Sequence, residues 1–151
     1  MITISKYDRQ YDAGVQAVIR AGLESAGISL EKYPQVWEEV APEYVESHYG
    51  GRAQFWVALQ DENVVGTIAV DEKDQKTAEV KRMYVSPALH GAGVGKQLLD
   101  VALEFAREHG YTKVYLETDG LMNRAHRFYE KNGFTVATDY GDWQTYERVL
   151  K

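Results

Sequence analysis

Apolar and polar positions alternate at the start of the chain. Ile2-Thr-Ile-Ser-Lys has the period of two expected of a first strand. The period then lengthens. Val15, Val18, Ile19 and Leu23 fall on one helical face, with Asp8 or Asp12 as a possible cap and Gly27 near the end. A second helical segment opens at Pro34 and carries Trp37, Val40, Tyr44 and Val45 up to Gly50-Gly51. Its internal Pro42 predicts a break or kink, because proline lacks the N–H that the helix ladder needs. Two β-rich runs, 55–60 and 64–70, flank Asp61, Glu62 and Asn63, which predicts a hairpin. A polar turn, 73–76, leads to a third strand of this group, Ala78 to Val85. From Gly93 to His109 the helical period returns, with Val94, Leu98, Val101, Ala102 and Phe105 on one face and Gly110 closing it. A buried-looking strand at 114–118 follows, then a helix from Leu121 to Asn132 stopped by Gly133, and a hairpin of 134–140 and 143–150 around Gly141 and Asp142.

The predicted order is β-α-α-β-β-β-α-β-α-β-β. It implies one α/β domain over residues 1–151, with a mixed central sheet of about seven strands and about four flanking helices. The chain has 151 residues, enough for one core. It lacks cysteine, so disulfides, thiolate metal sites and thiol nucleophiles are excluded. Charge enters too early for the apolar stretch of a signal peptide, and no apolar run reaches the length of a membrane span, so a cytoplasmic location and no membrane partner are expected. The four histidines are scattered, and no metal site is expected.

A net charge of −6 argues against nucleic acid as a partner, because phosphate contacts require clustered Lys and Arg. The acidity is concentrated: between Glu24 and Glu46 six glutamates stand against one lysine. Such a run is either a solvated helix face or an acidic rim that attracts a cationic amine.

The candidate chemistry lies between Glu79 and Lys96. A β-rich run ends at Ser86-Pro87, glycines 91, 93 and 95 follow, and a helix begins at once. A helix N-terminus presents unpaired N–H groups and a positive dipole end, which suits a phosphate. Two common glycine motifs fail on counting. The dinucleotide pattern Gly-x-Gly-x-x-Gly started at Gly91 meets Lys96 where its third glycine should be. The nucleotide-triphosphate loop needs four residues between its first glycine and Gly-Lys-Ser/Thr. Here Gly91 and Gly95 enclose three, and Gln97 follows Lys96.

The pattern Gln/Arg-x-x-Gly-x-Gly/Ala fits His90 to Gly95, with His in the first position, and a second pattern ends in Tyr129-Glu-Lys-Asn-Gly-Phe134. Together these stretches resemble the GNAT superfamily of acyl-CoA-dependent N-acetyltransferases. The resemblance covers 79–134 by motif and nearly the whole chain by element order. It implies acetyl-CoA as co-substrate, no metal, and a small-molecule amine or basic side chain as acceptor. It also implies a sheet whose strand 79–85 splays from strand 114–118 to admit the pantetheine arm. The implied cofactor contacts are the backbone of Met83, Tyr84 and Val85, the turn His90, Gly91, Ala92, Gly93, Val94, Gly95 and Lys96, and Asn123, which alternatively caps its helix. The amides of about 89–95 would hold the pyrophosphate, an amide near Met83 the oxyanion, and Arg124, Arg127 or Lys131 the adenosine phosphate unless they are simply solvated.

Two side chains are implied in the chemistry. A lysine-like amine is only about one part in 2,500 neutral at pH 7, so transfer needs a base, and Glu79, eleven residues before His90, is the candidate, acting through water. The bland alternative is a Glu at a wet strand end paired with Lys81 or Arg82. Tyr129 is the candidate acid for the departing thiolate, against a core tyrosine packed on the sheet. Strict alternation predicts Glu79, Lys81, Met83 and Val85 on one face and Val80, Arg82 and Tyr84 on the other. Tyr33, Trp37, Tyr44, Tyr49 and Trp56 either line the acceptor groove or pack in the core. Other expectations left open are a protein-lysine or N-terminal acceptor, a non-catalytic acyl-CoA-binding module, and a homodimer.

Overall fold

The computed structural model describes residues 1–151. Its strands are β1 (Ile2–Lys6), β2 (Gln54–Gln60), β3 (Asn63–Glu72), β4 (Thr77–Val85), β5 (Lys113–Asp119), β6 (Thr135–Asp139) and β7 (Trp143–Val149). The helices are α1 (Asp12–Ser25), α2 (Pro34–Glu39), α3 (Pro42–His48), α4 (Val94–Glu108) and α5 (Asn123–Lys131), with 3₁₀ turns at Arg9–Tyr11 and Pro87–Leu89. All seven strands join one sheet in the order β1-β2-β3-β4-β5-β7-β6. Only β4 and β5 run parallel; every other pair is antiparallel.

There are five helices rather than about four. The segment opened by Pro34 stops at Val40, and Pro42 starts a separate helix at its first position, where its missing N–H costs nothing. Neither early aspartate caps α1. Asp8 instead caps the preceding 3₁₀ turn, accepting from the Gln10 amide at 3.0 Å. The last helix begins at Asn123, not Leu121, because the Asp119 carboxylate takes the Leu121 amide at 2.8 Å and holds that stretch as a turn. Between β2 and β3, Asp61 and Glu62 both have positive φ (50° and 68°), forming the two-residue hairpin turn whose twist matches the strands.

Each sheet face has its own core. On one, α4 and α5 cover β3–β5 and β7 with Leu98, Leu99, Leu103, Tyr129, Phe134 and Tyr146. On the other, Val15, Ile19 and Leu23 of α1 meet Val36, Val40 and Val45 over Phe55, Val57 and Ala69. Full burial of such side chains contributes about 1.5–3 kcal/mol each.

Two irregularities create the opening in this sheet. The parallel pairing of β4 with β5 covers only Thr77–Val80 against Lys113–Leu116, after which the strands part. In the same stretch β4 bulges: Ala69 opposes Lys81 and Thr67 opposes Tyr84, so Ile68 alone faces Arg82 and Met83. Arg82 takes φ 55°, left-handed backbone that non-glycine residues seldom adopt. The bulge overturns the strict alternation. Ala78 and Val80 lie in the α4-side core, and after the extra residue Met83 and Val85 pack against that same core, while Tyr84 packs against the other. Glu79 and Lys81 therefore face opposite to Met83 and Val85.

Candidate active site

Where β4 and β5 part lies a cleft of about 490 Å³. Glu79, Met83 and Tyr84 line one side, Glu117 and Asp119 the other, and Tyr129 reaches in from α5. Residues fifty positions apart in the chain, Glu79 and Tyr129, thus share one cavity.

Tyr129 is 6% exposed and ringed by Phe128, Phe134 and Tyr146, with ring centroids 5.7, 5.6 and 6.1 Å away. Its body belongs to the core, so the packing alternative is correct for the ring. Its hydroxyl has no hydrogen bond within the chain, although buried phenols usually find one. Burial, with a smaller contribution from Tyr84, pushes the phenol well above its ordinary pKa, so it stays protonated at neutral pH.

Glu79 is half-buried and pairs with neither Lys81 nor Arg82. Lys81 reaches Asp71 at 3.4 Å and Arg82 binds Glu39. Burial raises the Glu79 pKa; Lys81 and Lys73 pull it down, and Glu117 and Asp71 push it up. A carboxyl so poised takes a proton more readily than a solvated one.

The glycine turn supplies a different kind of group. The Leu89, His90 and Ala92 amides are already bonded to the carbonyls of Ser86 (2.9 Å), Pro87 (3.3 Å) and Leu89 (3.1 Å). The amides of Gly91, Gly93, Val94, Gly95 and Lys96 have no such partner, and the first bond of α4 is Gln97 N–H to Gly93 at 3.2 Å. The free set is therefore shifted from the expected 89–95 to this group. Gly91 and Gly93 have φ of 84° and 88°, which their type permits. Gly95 has helical backbone, and a Cβ there would make ordinary contacts, 3.4 Å from Phe128 and 3.5 Å from Met83, so neither space nor conformation demands glycine at this position.

The remaining expected contacts are looser. Burial, then the nearby Arg124 charge, lowers the His90 pKa against the opposing pull of the Val85 carbonyl, so the imidazole is neutral at pH 7. Lys96 is exposed and bonded to Asp100 at 2.6 Å. Asn123 is exposed and is not a cap, since Met122 holds that position. Of the five aromatics proposed for a groove, only Tyr33 lines the cleft. Trp37 donates to the Leu30 carbonyl, Tyr44 stacks on His48, Tyr49 meets Phe55 edge-on, and Trp56 packs on Phe105 in the α4-side core. The acidic stretch is likewise dispersed: Glu43 and Glu46 pair with Arg9, and Glu39 alone lines the cleft.

Sequence reasoning did not single out Asp119. It is 8% exposed at the end of β5 and accepts from Lys32 Nζ at 2.7 Å, from Tyr33 Oη and from the Leu121 amide. Burial pushes its pKa up, but these three donors outweigh that and hold it below the usual range. The pair ties the α1–α2 connection across the cleft mouth. Its partners lie 87 and 86 positions away, and no local pattern announces them. No group of three or more His, Cys, Asp or Glu is arranged to hold a metal ion.

The acetyltransferase (GNAT) family model matches residues 26–134, most of the chain and all of the cleft's β4–α5 framework. The chain belongs to that family. It is 42% identical over 81 residues to the N-acetylaspartate synthetase of Homo sapiens, a match covering 53% of this chain but only 27% of that one. It is 29% identical over 128 residues to the uncharacterized N-acetyltransferase YjgM of Escherichia coli, covering 83% of this chain and 77% of the relative. Among solved structures, a GNAT-family acetyltransferase from Staphylococcus aureus superposes with TM-score 0.88 and 26% identity over the full length of both chains. PaiA N-acetyltransferase from Thermoplasma acidophilum, solved in complex with coenzyme A, superposes with TM-score 0.84 and 25% identity over 99% of each. The GNAT fold expected from the motifs is the fold observed, and homologues of this chain are N-acetyltransferases.

Proposed function

We propose that this GNAT chain transfers an acetyl group from acetyl-CoA to a primary amine by direct attack in a ternary complex. The observation that carries the reading is the parted β4–β5 pair. It leaves one cleft with a half-buried carboxyl, a buried unpartnered phenol and, nearby, a helix start with five unbonded amides. The pantetheine arm lies along the backbone of Met83, Tyr84 and Val85, and the pyrophosphate accepts from the amides of Gly91, Gly93, Val94, Gly95 and Lys96. The coenzyme A bound to the Thermoplasma relative supports acetyl-CoA as donor.

In the reaction the amine gives a proton through water to Glu79, and its nitrogen attacks the thioester carbonyl. The oxyanion is held by a β4 amide near Met83. As the C–S bond breaks, Tyr129 donates its proton to the leaving thiolate, and the excess proton on the new amide nitrogen is released to restore the phenol. The products are the N-acetylated amine and CoA, with no covalent enzyme intermediate.

A thermal-shift titration with acetyl-CoA against CoA and ATP, then an amine panel with free-thiol readout, tests this. Stabilisation by acetyl-CoA with thiol release on an amine is expected. Stabilisation without release from any amine or basic peptide overturns the transfer and leaves a binding module. No stabilisation at saturating acetyl-CoA overturns the donor site.

A further inference from the structure

We infer that the acceptor carries a second positive charge, seated between Glu117 and Trp143 on the open face of β5 and β7. This rests on the transfer reading above and names its substrate class.

The charges lining the cleft do not balance. Four carboxylates, Glu39, Glu79, Glu117 and Asp119, stand against two cations, Lys81 and Arg82. Arg82 is paired with Glu39, Lys81 with Asp71 and Asp119 with Lys32. Glu79 and Glu117 are left with no cation in salt-bridge contact. In the parallel register Glu79 lies beside Tyr115, so Glu117 sits two residues further along the same face, an offset of about 8 Å between Cα atoms from ordinary strand spacings. That span is on the scale of a short alkyl diamine. Into the same cleft opens the hydroxyl of Tyr129, a residue more than nine-tenths buried, with no hydrogen bond within the chain, which marks where the reacting end belongs.

Aromatic surface extends this face beyond Glu117. Trp143 pairs with Asp119 across β5–β7, lines the cleft, and stacks on Tyr140 at 4.2 Å and 18°. Both rings remain accessible, at 36% and 57% exposure. The chain itself shows that this face accepts an ammonium. Lys73 Nζ lies 4.2 Å from the Tyr115 ring, whose hydroxyl donates to Glu117 at 2.7 Å. Lys73 acts on the Glu79 side, which leaves the Trp143 side for the acceptor. A carboxylate-bearing acceptor, by contrast, meets Glu117 and Glu79 with every lining cation already paired.

The test compares putrescine with n-butylamine, which share a four-carbon chain and differ by one ammonium, together with aspartate. On the full chain with saturating acetyl-CoA, kcat/KM is measured; in parallel, calorimetry reads amine binding to the CoA-loaded chain. Putrescine is expected to exceed n-butylamine about tenfold, the effect of one charge-assisted contact. Glu117→Gln should bring that ratio toward one, and Trp143→Ala should reduce it, both with unchanged far-ultraviolet circular dichroism. A ratio within about twofold in the unaltered chain, a ratio that survives Glu117→Gln, or preference for aspartate overturns the inference. If diamine binding is tight and Glu117-dependent but nothing is acetylated, the subsite stands and the transfer reading falls.

Discussion

The two walls of the proposed site are built by different means. The proposed donor wall, from the bulge at Arg82 through the nearby glycine turn into α4, consists of backbone: unbonded amides, two glycines with positive φ and a helix start, all within 82–96. The proposed acceptor wall consists of side-chain pairs between distant segments: Lys32 and Tyr33 with Asp119, and Glu39 with Arg82. A backbone device depends on the local residue types that permit its conformation. A side-chain pair depends on which segments the fold brings together. The first kind constrains sequence tightly over a short stretch, whereas the second is free to change when its partner changes.

The comparison is sharpest where the walls meet. Tyr129→Phe keeps the ring packing and removes only the unpartnered hydroxyl. It should lower kcat by about 10²-fold or more while acetyl-CoA binding persists. Unchanged transfer would reduce Tyr129 to a core residue.

Glu79→Gln should lower the rate by a comparable or smaller factor and remove the acidic limb of the pH–rate profile. Its effect on stability has the opposite sign. Because burial raises the Glu79 pKa above its unfolded value, the folded chain binds the extra proton and loses stability as pH rises through that pKa. Glu79→Gln should therefore leave the chain as stable as before or more so at neutral pH, read by urea denaturation. A destabilised variant would point to a structural carboxylate instead.

On the acceptor wall, Asp119→Asn should cost about 1–3 kcal/mol, because charge-assisted bonds are lost at a buried site. The folded pKa of Asp119 is depressed, so its contribution is present above the unfolded value and disappears as pH falls through the folded one. The stability gap between the unaltered chain and the Asp119→Asn variant should accordingly shrink in acid. A gap independent of pH would mean that packing, not charge, holds this latch.

The smallest effects separate two glycines of one turn. Gly93→Ala forces a Cβ onto φ 88° and should destabilise by about 1–2 kcal/mol, although the space is open. Gly95→Ala meets only ordinary contacts on helical backbone and should be neutral or stabilising by up to about 1 kcal/mol. Equal behaviour would show that conformation is not what the turn asks of Gly93.

Much of the fold was legible because its signals are local. Pro42 announced the break that became two helices, Gly110 and Gly133 marked helix ends, and the seven strands followed from apolar runs between turns. The candidate turn was legible for the same reason. Alternation failed at β4, since a bulge arises from the register with β3 and leaves no mark in Lys81-Arg-Met83 itself. The choice between groove and core was not legible either: Trp37, Tyr49 and Trp56 pack in the cores and Tyr44 stacks on His48, uses indistinguishable by residue type from lining a groove.

By itself the sequence determined the order of elements, the glycine-built helix start and the presence of Glu79 and Tyr129 at motif positions. These follow from φ preferences, hydrogen-bond capacity and periodicity, which act over a few residues. Only the tertiary structure decided that β4 and β5 part after Val80, that Met83 turns away from Glu79, and that Asp119 and Trp143 border the same opening. Those outcomes depend on strand register and on charges meeting across the chain, and no stretch of sequence contains both partners.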